Sequence, residues 1–143
     1  MTRINCIPVE QLLDQHLFAE YREITRVASL QRSLPDYGEY TMGTGHVKFF
    51  YNKGLYLADR CNALLLELAK RGFNVQVKQY PKHGSSRDKQ WSPTREDELC
   101  NLMRLVEKQR ARPGFYKLHG KPAPSNHYLV LLENLMNVEA QNG

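Results

Sequence analysis

The stretch that decides the fold is residues 9–32, which read VEQLLDQHLFAEYREITRVASLQR. Apolar residues recur along it at helical spacing, namely Leu13, Leu17, Ile24 and Ala28. The opposite side carries polar and charged residues, namely Gln15, His16, Arg22, Glu23 and Arg26. This pattern predicts an amphipathic helix that packs one side on a core and presents its charged side outward.

Outward from this helix, further apolar stripes predict helices at 46–71, 93–112 and 125–139, with polar loops at 33–45 and 73–91. Ser92 is expected to cap the third helix, Gly72 to end the second, and Gly54 to weaken or bend it. We therefore expect an all-α fold: a single compact domain of three main helices with long basic loops, plus an extra C-terminal helix. The domain is assigned to residues 1–121, and residues 122–143 to a Pro-rich link and a C-terminal helical extension.

The composition narrows the class of protein. The 143 residues carry a formal net charge of +5, which favours an anionic partner such as nucleic acid. The mean hydropathy is −0.59, no apolar run approaches the roughly 18–20 residues of a membrane span, and residues 1–20 lack a secretory signal pattern. Cys6, Cys61 and Cys100 form no CxxC pair, so we expect buried thiols, no structural metal and a cytoplasmic location.

The N-terminus offers a nucleophile. Removal of Met1 before the small residue Thr2 would expose an α-amino group, whose reference pKa of about 7.7–8 lies well below the value of about 10.4 for lysine. Such an amine is partly neutral near pH 7 and can attack a sugar C1′ to form a Schiff base. The alternative is that Thr2 is an ordinary chain terminus.

Glu23 offers a carboxylate on the polar face of the first helix. Cleavage of a glycosidic bond builds positive charge on the sugar, and a carboxylate held nearby stabilises that charge. The same group could remove a C2′ proton and drive β-elimination. The alternative is a solvated Glu23 paired with Arg26 at i,i+3.

Basic residues suit a DNA backbone. Arg22 and Arg26 are spaced i,i+4 and can contact consecutive phosphates, with Arg3 and Gln15 beside them. His16 is interpreted either as a DNA contact or as a surface ion pair with Glu20. The segment 112–121, RPGFYKLHGK, interleaves aromatic and basic residues, so it can stack on bases and contact phosphates, or it can close the core beside a solvated loop.

Together these motifs resemble the family of the phage ultraviolet-repair endonuclease V, the pyrimidine-dimer DNA glycosylases. The resemblance rests on TRIN at 2–5, DQHL at 14–17, AEYRE at 19–23, RV at 26–27, GTGHVKFFY at 43–51 and LAKRGFN at 68–74. It returns at RP (112–113), YK (116–117) and GK (120–121). The resemblance therefore covers most of residues 2–73 and about ten residues near 112–121.

The resemblance implies a metal-independent enzyme that is both a DNA glycosylase and an AP lyase on cyclobutane pyrimidine dimers in duplex DNA. We expect no cofactor, and we expect a monomer because a single active site on one face is enough. In this family the duplex is kinked, a base opposite the lesion is flipped out, and the terminal amine attacks C1′ of the 5′ nucleotide before β-elimination. Carried over by position, Thr2 is the nucleophile and Glu23 the catalytic carboxylate, while Tyr21 packs the helix near the site. The expected DNA contacts are Arg3, Gln15, His16, Arg22, Arg26, Lys117 and Lys121.

The sequence also departs from the family. Leu118 and His119 stand where aromatic residues are expected, residues 74–92 do not align, and the helix after Lys121 is additional. These departures leave open two other functions: the same chemistry on another modified or oxidised base, and a DNA-binding module without catalysis. A metal-dependent nuclease is disfavoured because the sequence has no suitable acidic cluster.

Overall fold

The computed structural model describes residues 4–29, 40, 46–77 and 90–142. Its helices are α1 (Asp14–Ser29), α2 (His46–Phe49), α3 (Gly54–Lys70), α4 (Arg95–Ala111) and α5 (His127–Asn142). A 3₁₀ turn at Val9–Gln11 precedes α1, and a small antiparallel hairpin, β1 (Lys117–Leu118) and β2 (Lys121–Pro122), lies between α4 and α5. The predicted all-α class is confirmed, and the hairpin is an element that the sequence patterns did not predict.

The first predicted helix begins later than residue 9. The backbone is extended at Leu12, with ψ of 139°, so the 3₁₀ turn does not continue into α1. The amide of Leu13 instead donates to the hydroxyl of Tyr128 at 2.8 Å. The predicted last residues of this helix, 30–32, lie outside the described residues.

The predicted helix 46–71 is divided into α2 and α3. Lys53 lies at the break, and its ammonium donates to the carbonyl of Phe49 at 2.9 Å and to Oδ1 of Asn52 at 3.0 Å. It also lies 3.9 Å from the centre of the Phe49 ring. A carbonyl at the end of α2 is therefore satisfied by a side chain, and α3 begins anew at Gly54.

Two helix ends show how local sequence sets boundaries. Thr94, rather than Ser92, caps α4, since its hydroxyl accepts from the amide of Asp97 at 3.2 Å and the Asp97 carboxylate accepts from the amide of Thr94 at 2.9 Å. This is a reciprocal capping box. Gly72 ends α3 as predicted, with φ of +85°, a left-handed conformation that glycine adopts at little cost.

The core lies where α1 packs on α3 and α4 packs on α5. The apolar stripe predicted for the first helix is fully buried at Leu13, directly before α1, and at Leu17 and Ile24 within α1. The extension also enters the core, because Tyr128 of α5 has no exposed surface. The division at residue 121 remains a prediction, but α5 is packed against the rest of the molecule rather than separate from it.

The structure bears on two expectations from the composition: the burial of the cysteines and the lack of a membrane span. Cys6 and Cys61 are buried as predicted, whereas Cys100 is exposed on α4, so the expectation of a buried thiol is wrong there. Among the helices of the described residues, none is long and apolar enough to cross a membrane.

Candidate active site

The polar face of α1 carries three of the predicted site residues. Arg22 and Arg26 are exposed, and Glu23 between them is partly buried. Residues spaced i,i+4 on a helix project from one side, so the two guanidinium groups belong to the same surface. The sequence prediction of a cationic face with an embedded carboxylate therefore agrees with the geometry of α1.

Glu23 is partly buried rather than fully solvated, and its pairing with Arg26 remains an alternative. Its Oε2 atom is buried and has no hydrogen-bond partner within the part of the chain that the structure describes. A carboxylate oxygen shielded from water without a donor is unfavourable, and native proteins retain such atoms mainly where they serve a purpose. Glu23 is therefore an acceptor available to a group that approaches this face.

The predicted nucleophile Thr2 and the predicted contact Arg3 lie outside the described residues. The first described residue, Ile4, is fully buried. Its amide donates to Nε2 of His46 at 3.0 Å. A histidine nitrogen that accepts a hydrogen bond carries no proton, so this bond assigns the neutral His46 ring with its proton on Nδ1.

Residues 4–7, here called the anchored segment, are buried but belong to no helix or strand. Tyr40 and Tyr56 donate their hydroxyl groups to the carbonyls of Ile4 and Asn5, both at 3.2 Å. Oδ1 of Asn101 accepts from the amides of Cys6 at 2.8 Å and Ile7 at 3.2 Å. Side chains distant in sequence thus satisfy the backbone of this segment.

A buried ion pair continues the network. Glu20 and Arg60 are 1% and 8% exposed and form two hydrogen bonds, of 2.8 and 3.1 Å. Arg60 also donates to the carbonyl of Ile7, and Asn5 donates to Glu20 at 2.9 Å. The alternative in which His16 pairs with Glu20 at the surface is therefore wrong, because Glu20 points into the core.

Sequence reasoning missed this pair, although a signal for it exists. Glu20 stands three residues after Leu17 and four before Ile24, on the apolar stripe of α1. Arg60 stands in the same relation to Leu57 and Leu64 on α3. Opposite charges on the apolar stripes of two helices indicate a buried ion pair, because an isolated buried charge is very costly.

The first turn of α1 holds the hairpin. Asp14 is 5% exposed, and its carboxylate accepts from the amides of His119 at 3.0 Å and Gly120 at 2.8 Å. These two residues form the tight turn, with φ of +54° and +79°, as in the primed turns that join antiparallel strands. Lys117 and Lys121, the predicted backbone contacts, are exposed on the two strands.

Gln15 connects α1 to the chain that enters this hairpin. Its amide nitrogen donates to the carbonyl of Phe115 at 2.8 Å, and its amide oxygen accepts from the amide of Lys117 at 2.9 Å. Gln15 was predicted as a DNA contact. That role remains a prediction, and the geometry adds a second role, because the side chain fixes the position of residues 115–117.

A cavity of about 390 Å³ lies between α1 and the segment that was predicted to bind DNA. Its lining combines both regions: Gln15, His16, Phe18, Arg22, Arg112, Phe115 and Tyr116. The guanidinium of Arg112 lies 3.5 Å from the centre of the Phe115 ring, and Phe115 is 41% exposed. Tyr116 is buried and closes the core, whereas the exposed ring of Phe115 is available to a binding partner.

His16 lines this cavity as a neutral ring. Its Nδ1 lies 2.7 Å from the hydroxyl of Tyr128, and its ring centre lies 4.6 Å from that of Tyr116. Burial, with smaller contributions from Lys108 and His127, lowers the pKa of His16 to about 4. His16 therefore carries no charge for a phosphate at neutral pH, and a DNA contact through it would use packing or hydrogen bonding.

Among the described residues, no group of three or more His, Cys, Asp or Glu side chains is arranged to hold a metal ion. The model of the family described as pyrimidine dimer DNA glycosylase matches residues 1–80. The chain belongs to the pyrimidine dimer DNA glycosylase family. Membership makes it a DNA repair glycosylase with DNA as its substrate.

The match with the pyrimidine dimer DNA glycosylase family covers the α1 face, the anchored segment and α3. It therefore includes the predicted site residues from Thr2 to Arg26. Lys117, Lys121 and the aromatic Phe115 lie beyond it. Bonds from Asp14 and Gln15 to residues 115–120 hold this segment beside α1.

Proposed function

We propose that the protein removes bases at cyclobutane pyrimidine dimers and then cleaves the strand as an AP lyase, with the amine of Thr2 as nucleophile and Glu23 as acid/base. The observation that carries the proposal is the buried Oε2 of Glu23, which has no hydrogen-bond partner among the described residues. A carboxylate in this state is suited to accept a hydrogen bond from an amine or to stabilise a cationic sugar.

The chemistry can be written with the protein's own groups. The amine lone pair attacks C1′, the bond from C1′ to the base breaks, and the departing base takes the proton that the attacking nitrogen loses. The nitrogen lone pair then opens the C1′–O4′ bond, O4′ takes a proton from water, and the product is the protonated Schiff base. The Glu23 carboxylate removes a C2′ proton, the C3′–O bond breaks with release of the phosphate, and water hydrolyses the Schiff base to regenerate the amine.

The surface around Glu23 suits duplex DNA that is opened at the lesion. Arg22 and Arg26 can contact phosphates, and Lys117 and Lys121 extend the cationic surface along the hairpin. The cavity of about 390 Å³ is lined by Phe115 and Arg112, a ring and a guanidinium plane that can pack against an extruded base. These features support a role in which a nucleotide leaves the helical stack.

The test is covalent trapping. Duplex DNA carrying a pyrimidine dimer or an abasic site is incubated with the protein and borohydride, after mass spectrometry has confirmed that Met1 is absent. A reduced Schiff base joins protein and DNA at Thr2, and peptide mapping identifies the residue. Comparison with duplexes that carry oxidised bases assigns the lesion. Absence of trapping on every DNA would contradict the proposed mechanism and favour a binding module.

Glu23→Gln sharpens the test. The amide keeps the size of the side chain but removes its charge and basicity, so we expect base removal to fall by at least about 100-fold while DNA binding persists. Glu133→Gln, an exposed residue of α5, is the matched control and should retain wild-type rates. Equal rates for the two variants would exclude Glu23 from catalysis.

A further inference from the structure

The anchored segment is held in an unusual way. Six of its backbone groups, on Ile4, Asn5, Cys6 and Ile7, bond to side chains. Buried backbone normally pairs within helices and sheets. Here a chain of four buried residues, outside any regular element, is bonded to residues that lie 36 to 95 positions away.

Three of these bonds come from one aromatic cluster, formed by Tyr40, His46, Phe49, Phe50, Tyr56 and Trp91. His46 is 2% exposed, and its ring centre lies 5.6 Å from that of Tyr40 and 5.7 Å from that of Phe50. The polar atoms of Tyr40, His46 and Tyr56 all bond to the backbone of Ile4 or Asn5. Tightly packed rings have little rotamer freedom, so these donors and acceptors are fixed.

Covalent geometry relates this cluster to the terminal amine. Two residues of extended chain span at most roughly 7 Å, so the nitrogen of Thr2 stays within about that distance of the Ile4 nitrogen. Glu23 lies one helical turn from Glu20, which bonds to the side chain of Asn5. A turn of helix rises about 5.4 Å, so the anchored segment lies beside the part of α1 that carries Glu23.

We propose that His46 is a positioning residue: by accepting the amide of Ile4 it fixes where the chain leaves the core, and so aims the N-terminal amine at the sugar. The inference rests on the proposed function, since it needs the amine to be the nucleophile. His46 does not touch DNA in this role. It acts through the backbone, where a displacement of about 1 Å can slow a reaction roughly 100-fold.

Two substitutions separate the hydrogen bond from the packing. Leucine at position 46 fills much of the ring volume but accepts no hydrogen bond, whereas the Oε1 atom of glutamine can reach the place of Nε2. We expect His46→Leu to slow borohydride trapping on abasic-site duplex by about 10–100-fold at saturating DNA. His46→Gln should recover most of the wild-type rate, and the DNA dissociation constant should stay within about threefold in both.

Folding is followed in the same samples. Trp91, the single tryptophan, packs 5.5 Å from the Tyr40 ring, so its fluorescence reports on the aromatic cluster. Leu135→Ala, which removes packing from α5 rather than a bond to the anchored segment, is the control for general destabilisation. It should trap DNA at the wild-type rate at a temperature where it is folded.

Tyr40→Phe is the second variant, for use if His46→Leu does not fold. It keeps the ring but removes the donor to the carbonyl of Ile4, and we expect trapping about 3–10-fold slower than wild type, as for loss of one buried hydrogen bond. Wild-type rates in His46→Leu, or in Tyr40→Phe where only that variant folds, would overturn the positioning role while leaving the proposed function intact. Equally slow trapping by His46→Gln and His46→Leu would also overturn it. Failure of the wild-type protein to trap any DNA would overturn both proposals.

Discussion

His16 illustrates how a single residue acquires its character from its surroundings. The hydroxyl of Tyr128 accepts the amide of Leu13 and has its own proton left to donate to Nδ1 of His16. This arrangement suits a neutral imidazole, and burial disfavours the charged form. A residue that the sequence suggested as a surface group is therefore part of the polar interior between α1 and α5.

The depressed pKa predicts a dependence of stability on pH. The folded-state pKa of about 4 lies below the ordinary histidine value of 6.5, so the unfolded chain binds more protons between these values. Stability should therefore rise as pH increases from 4 to 6.5, by up to roughly 3 kcal/mol from this residue. Urea unfolding at a series of pH values measures it, and His16→Gln should flatten the slope.

His119→Asn is the matched control for that experiment. His119 is an exposed histidine at φ of +54°, a conformation that asparagine tolerates. Its replacement should leave the slope between pH 4 and 6.5 in place. A slope that survives His16→Gln would mean that other groups are responsible for it.

At the scale of elements, the contact between Asp14 of α1 and the turn of the hairpin connects the two predicted DNA-binding regions. Arg71 donates to Asp14 at 2.9 Å and to Glu67 at 2.8 Å, so the carboxylate that holds the turn is itself held by α3 and its C-terminal cap. The arginine side chain is fully buried. The hairpin has only four strand residues, and such a short pair is not stable without support.

Asp14→Asn tests the contact between α1 and the hairpin turn. The change removes the ion pair and weakens the bonds to the turn, so we expect a loss of about 2 kcal/mol in unfolding free energy. It should also speed hydrogen exchange at the amides of His119 and Gly120 and weaken DNA binding. Asp59→Asn on the exposed face of α3 makes the same change in net charge.

The comparison of the two variants separates charge from structure. Both raise the net charge of +5 by one unit, and long-range attraction alone would strengthen DNA binding in both. Weaker binding by Asp14→Asn alone, measured by fluorescence anisotropy, would mean that the position of Lys117 and Lys121 matters. Equal affinities would show that the hairpin does not contribute to binding.

At the scale of the whole molecule, α5 completes the core rather than extending from it. Tyr128 is fully buried and bonds to Leu13, and α5 packs along α4. Gln109 of α4 joins the same contact, accepting the Tyr128 amide at 3.4 Å and donating to the carbonyl of Pro124 at 2.7 Å. The first turn of α1 therefore depends on a residue more than a hundred positions later in the chain.

Tyr128→Ala tests whether the molecule folds as one unit. It removes a buried ring and leaves the Leu13 amide without its acceptor, so we expect a loss of about 3–5 kcal/mol. Met136→Ala on the same helix removes a side chain that is 53% exposed and should change stability by less than about 0.5 kcal/mol. Urea unfolding followed by Trp91 fluorescence measures both. A small effect of Tyr128→Ala would support an independent domain that ends near residue 121.

Much of the candidate site was predictable, because its residues lie close together in the sequence. Arg22, Glu23 and Arg26 share a face because helical spacing places them there, and Lys117 and Lys121 are exposed in the segment that was expected to be a basic surface loop. His46 and Asn101 were not singled out as site residues. Each forms its bond to the anchored segment across 42 to 95 positions of sequence, and helical periodicity carries no information about such pairs.

The sequence by itself determined the helical class, the apolar and charged sides of α1, the basic character of the molecule and, through the N-terminal resemblance, the family. These follow from periodicity and from motifs that are contiguous in the chain. Only the tertiary structure decided that Glu20 is buried against Arg60, that His16 is neutral, and that side chains bond to the backbone of the anchored segment. Those outcomes depend on which surfaces meet when the helices pack, because burial and long-range partners set the charge and the position of a polar group.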